Sequence, residues 1–114
     1  NLIKDDQKIV SYFDMILKNN KFEKEIENLL YYKKALFKSS YLEEQKFLEE
    51  IRPLLHSKET IWKSHALMLV GDFYFSKKEY IKAKDFYTQI LAIKNLQPEL
   101  YEQAKMKLVN ITND

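Results

Sequence analysis

The chain has no cysteine, one glycine, two prolines and a single arginine, Arg52. Without cysteine there is no disulfide, no thiolate metal site and no cysteine nucleophile. One glycine cannot build a glycine-rich phosphate loop. So few glycines and prolines also leave little material for the many turns of a sandwich or barrel. With Arg52 alone, the planar fork suited to phosphate and base edges is nearly missing. The 19 basic and 17 acidic residues, net +2, give no strongly basic face. The longest apolar run, Ala66–Val70, falls well below the about 20 residues of a membrane span. No signal peptide is visible, although Asn1 in place of methionine leaves room for a removed upstream segment.

What is present is a core. With 114 residues, 46% hydrophobic and 14% aromatic, the chain suits a single domain, residues 1–114, that buries most of its apolar surface. Apolar residues recur at helical spacing throughout. Ile9, Tyr12, Phe13, Ile16 and Leu17 form one stripe, ended by Asn19-Asn20 in a left-handed turn. A second helix carries Phe22, Ile26, Leu29, Leu30, Leu36 and Phe37 and stops near Ser39-Ser40. Ser40 is expected to cap a third, with Glu43 completing a capping box and a face of Tyr41, Leu48, Ile51 and Leu55. Pro53 should kink or end it. Trp62, Ala66, Leu69, Val70, Phe73 and Tyr74 mark a fourth helix. Tyr80, Ala83, Tyr87, Ile90 and Leu91 mark a fifth, closed by Asn95. Pro98 opens a sixth, over about 97–111, with Leu100, Tyr101, Ala104 and Leu108. The expectation is all-α, about six helices joined as antiparallel hairpins.

Laying "FSKKEYIKAKDFYTQI" (75–90) over "LFKSSYLEEQKFLEEI" (36–51) matches Tyr80 with Tyr41, Phe86 with Phe47 and Ile90 with Ile51. An internal repeat favours a stacked array. Gly71, Tyr74, Tyr80, Ala83 and Tyr87 then fall at the small and aromatic positions of the tetratricopeptide repeat (TPR), a helix–turn–helix unit of about 34 residues. Leu67 stands where that motif has Trp, and Pro98 comes late. The chain therefore resembles a TPR-like right-handed array, with a well-matched repeat at about 61–95 and a degenerate one at about 22–56. The resemblance implies that Gly71 faces Ala83 across a close hairpin crossing. A side chain there would overpack it, outweighing the about 1 kcal/mol of helix propensity that glycine forfeits.

Residues 29–108 further resemble the helical domain of bacterial YfgM-like ancillary Sec-translocon proteins. That likeness implies a periplasmic interaction scaffold on a membrane anchor lying outside this chain. It also implies translocon or chaperone partners.

The residues themselves offer little chemistry. His56-x-x-Glu59 lacks a third ligand for a metal, and Ser64 and His65, adjacent on one helix, point apart. Glu43, Glu44, Glu49 and Glu50 read as a solvated face, without the Glu-x-x-His pairs of di-metal bundles. "YYKKALFK" (31–38) interleaves aromatics and lysines, but as a helix it sorts into a core stripe of Leu29, Tyr32 and Leu36 and an outer spread of lysines. Neither enzyme, cofactor, metal nor nucleic acid is expected.

By the TPR likeness, a partner-binding groove would take Trp62, His65, Met68, Asp72 and Phe75 from one repeat and Ile26, Leu29, Lys33 and Leu36 from the other. Asp72 would repel a C-terminal carboxylate, so the expected partner segment is apolar or basic. Self-association is the other expected occupant. A cytoplasmic adaptor or oligomerisation module, or a helical accessory domain of a larger enzyme, are the alternatives.

Overall fold

The computed structural model describes residues 2–112. Among them the chain is all-α, with six helices: α1 Leu2–Asn19, α2 Lys24–Lys38, α3 Glu44–Leu55, α4 Thr60–Ser76, α5 Tyr80–Leu91 and α6 Pro98–Thr112. They fall into two compact units that divide at Leu54/Leu55.

In the first unit α1 packs on α2, with Phe13 and Phe37 at 6.0 Å between ring centroids and an ion pair from Lys34 to Asp14. The face of α1 is rotated from the expected stripe. Val10 is buried, Ile9, Phe13 and Leu17 are half-buried, and Tyr12 and Ile16 are exposed. With α2 as its packing partner inside this unit, α1 has only a narrow strip to cover. Its end also differs in detail: Asn20 donates its side-chain amide to the Ile16 carbonyl at 3.0 Å rather than adopting a left-handed turn. The side chain itself satisfies an orphan carbonyl there.

Ser40 does not cap α3. Its hydroxyl reaches the Asp6 carboxylate at 2.6 Å and the Phe37 carbonyl at 2.8 Å. The chain turns through 39–42, and Glu43 precedes α3, its carbonyl accepting from the Phe47 amide at 2.9 Å. This delayed start shifts the buried face to Phe47, Ile51 and Leu54, leaving Tyr41, Leu48 and Leu55 half-buried. Lys38 reaches Glu50 at 2.7 Å, and the Tyr31 hydroxyl donates to the Glu50 carbonyl. Both tie α2 to α3. Pro53 lies inside α3, which ends two residues later, as the missing N–H and ring clash require.

The second unit is an α4–α5 hairpin followed by α6 on α5. Buried residues surround α4 on every side, Trp62, Ser64, Ala66 to Gly71, Phe73 and Tyr74, so it is a central helix rather than an amphipathic one. Tyr74 stacks on Phe86 at 5.6 Å, and Phe75 meets Tyr80 edge-on at 5.3 Å. Ala83 is fully buried, yet the residue that requires Gly71 is Tyr87. A Cβ on Gly71 would lie 2.7 Å from Tyr87 Cδ1, and nearer still to Cε1. A buried aromatic ring, not a second small residue, occupies the space beside the glycine. Asn95 lies in the loop beyond α5, not at its end, with φ of 59°. Pro98 opens α6 as expected, and the Gln97 carbonyl accepts from the Leu100 and Tyr101 amides at 3.1 Å.

The turn between α4 and α5 is a Schellman motif. The Glu79 amide donates to the Tyr74 carbonyl and the Lys78 amide to that of Phe75, each at 2.9 Å, the paired bonds of that C-terminal cap. Lys78 holds the left-handed position, φ 62°, where a Cβ is strained and glycine is not. Lys78→Gly should therefore stabilise the protein by up to ~1 kcal/mol. A denaturant melt is expected to show a higher midpoint at unchanged slope.

Candidate functional site

One recess of the second unit lies where three helices meet. Asp72 of α4, Tyr87 of α5 and Lys107 of α6 converge with Phe75 and Asn110 around a cavity of about 260 Å³. Helical spacing builds it. Asp72 follows Gly71, and Phe75 lies one turn further on the same face. Lys107 extends the buried line of Leu100 and Ala104 by one turn, so its stem lies inward along α6.

Tyr87 is 1% exposed, and its hydroxyl donates to Asp72 Oδ1 at 2.6 Å. Lys107 Nζ reaches the same oxygen at 2.5 Å and lies 5.8 Å from the Tyr87 ring centroid. The Asp72 and Lys107 side chains are 41% and 37% exposed. Such a pair contributes at most about 1 kcal/mol, and its main effect is directional. It holds one end of α6 against α4 and leaves the carboxylate charge compensated. Burial first, and then the hydrogen bond and charge of Asp72, push the Tyr87 phenol well above its usual ionisation range.

The expected groove residues separate by environment. Asp72 and Phe75 line the cavity, and His65 is half-buried with its ring 6.2 Å from that of Trp62. Burial lowers the His65 pKa. Trp62 and Met68, at 6% and 7% exposure, are core side chains and do not supply an open wall. Central burial of α4 has consumed the face that the repeat pattern would leave free. In the other unit Ile26, Leu29, Lys33 and Leu36 all lie on the exposed side of α2. This corrects the core stripe expected for Leu29 and Leu36. Asn28 and Ala35 are the buried residues of α2.

Two lining residues, Lys107 and Asn110, were not singled out by the sequence reading. The available signal was a lysine continuing an inward line on α6, opposite a carboxylate at an inward position of α4. Among the described residues no group of three His, Cys, Asp or Glu side chains is arranged to hold a metal. No helix among them is long and apolar enough to cross a membrane. No family model matches the chain, and no curated protein or solved structure matches it either.

The raised phenol pKa gives a pH dependence. The folded state holds the Tyr87 proton more tightly than the unfolded chain, where the phenol ionises near ~10. Its stabilisation is therefore complete below about pH 10 and is lost as pH rises above that. Tyr87→Phe should cost about 1 kcal/mol at neutral pH through the lost hydrogen bond. It should also show a shallower alkaline decline in Tm than the parent. Parallel declines would contradict the assignment.

Proposed function

We propose that the chain is a non-enzymatic protein-interaction scaffold whose helical hairpins act as TPR-like repeat units. The observation that carries this reading is the cavity at Asp72, Phe75, Tyr87, Lys107 and Asn110, an apolar recess with polar groups. A recess with those groups suits an apolar side chain of a bound segment, with Asn110 and the Asp72–Lys107 pair available to polar groups beside it. Because Lys107 compensates Asp72, the favoured segment is apolar at its anchor rather than strongly basic. In the TPR reading Asp72 and Phe75 belong to the first helix of a repeat, the element that lines the concave wall of such arrays, while Tyr87, Lys107 and Asn110 come from the two helices that follow. The likeness to YfgM-like proteins supports a periplasmic setting and a translocon or chaperone partner.

The test is amide-shift mapping with an amphipathic helical peptide bearing a leucine anchor, alongside a control peptide with that leucine replaced by aspartate. Shifts should concentrate at Asp72, Phe75, Lys107 and Asn110 and weaken at least about tenfold with the control peptide or with Phe75→Ala. Shifts confined to the glutamate-rich face of α3, or none at millimolar peptide, would contradict the proposal.

A further inference from the structure

The recess at the end of α6 already holds a cation supplied by the chain itself. Among its lining residues, Asp72 and Lys107 carry the charges. Lys107 Nζ lies 2.5 Å from Asp72 Oδ1 and 5.8 Å from the Tyr87 ring centroid. A carboxylate oxygen and the face of an aromatic ring are two groups that hold an ammonium well. The recess is therefore built as a cation subsite, and α6 fills it from within. Lys105 and Glu102, the nearest charges along α6, are exposed and lie on its other side by helical spacing. On α4, Asp72 is the only acidic residue.

That resident ammonium decides which anchor the recess accepts. An apolar side chain can settle against Phe75 and leave the Asp72–Lys107 pair in place. A basic one must either share Asp72 with Lys107 or displace it. Sharing sets two ammonium groups beside one carboxylate, and like charges repel. Displacement exchanges one cation for another and gains no net attraction. Both side chains are more than a third exposed, so the pair favours its closed form by about fivefold at most. Selection is thus a matter of charge and not of a locked gate. Building on the peptide reading of this recess, we propose that Lys107 is its specificity-determining residue, a built-in cation that excludes basic anchors. Discrimination then comes from a group placed against the wrong partner, not only from contacts to the right one. Without Lys107 the same recess presents an uncompensated carboxylate beside Phe75 and Tyr87 and takes an alkylammonium instead.

Amide-shift titrations with two amphipathic peptides, alike except for leucine or lysine at the anchor, test this. The parent should bind the leucine peptide about fivefold or more tightly than the lysine one. Lys107→Ala should move that ratio about tenfold toward the lysine peptide, since repulsion is removed and attraction to Asp72 is gained. Asp72→Asn combined with Lys107→Ala should cancel the change, because the amide oxygen still accepts from Tyr87 but carries no charge. Circular dichroism and a denaturant melt check that each variant is folded. A second arm needs no peptide. n-Butylammonium chloride at ~200 mM, compared with equal sodium chloride, should shift the Asp72, Phe75 and Asn110 amides in Lys107→Ala and not in the parent. If neither peptide binds but butylammonium still separates the two proteins, the peptide site is refuted and the resident-cation assignment stands. A leucine-to-lysine ratio unchanged in Lys107→Ala would overturn the proposal. So would a change that survives Asp72→Asn, or no butylammonium response in Lys107→Ala.

Discussion

The Tyr87 ring packs against α4 at Gly71, and the architecture of the second unit depends on that contact. It fixes how near α5 approaches α4, because the ring occupies the space a Cβ would need. The ring is buried and its hydroxyl is held by Asp72, so it has no free rotamer into which to withdraw. Burying a tyrosine ring in a close-packed crossing outweighs the propensity lost by placing glycine inside a helix. The chain's one glycine is therefore explained by a large neighbour.

The same tyrosine links fold to site. Its ring sets the hairpin and its hydroxyl aims Asp72, and Asp72 gives Lys107 of α6 a point of attachment. A cavity with a compensated charge pair and a phenylalanine wall follows from that sequence of contacts. Had Tyr87 been the phenylalanine that the repeat pattern equally allows, the crossing would persist without the carboxylate anchor. The proposed peptide site thus rests on one hydroxyl.

Much of this was legible in the sequence, for identifiable reasons. Helix number and order follow from the 3.6-residue periodicity, and Pro98 marked the start of α6 because its missing N–H is harmless there. The hairpin partners of Gly71 were legible only in part. Tyr87 and Ala83 both follow the motif, and spacing cannot say which of two inward residues reaches the glycine. The faces of α1 and α2 were misread because apolar content was equated with burial. In α2 the small Ala35 and polar Asn28 are the buried residues, while Ile26, Leu29 and Leu36 face out. Likewise Met68 and Trp62 follow the groove spacing but sit in a helix apolar on all sides, where periodicity carries no directional information. Lys78 was equally hidden, since nothing in a lysine signals a left-handed cap.

A double-mutant cycle at Gly71 and Tyr87 tests the account most directly. Gly71→Ala should cost about 1–3 kcal/mol in the parent, against a helix-propensity gain of up to ~1 kcal/mol. In a Tyr87→Leu background that cost should vanish, giving a coupling energy of at least ~1 kcal/mol. An Ala83→Gly background should leave the cost intact. Equal costs of Gly71→Ala with and without the Tyr87 ring would contradict the claim that this contact sets the crossing.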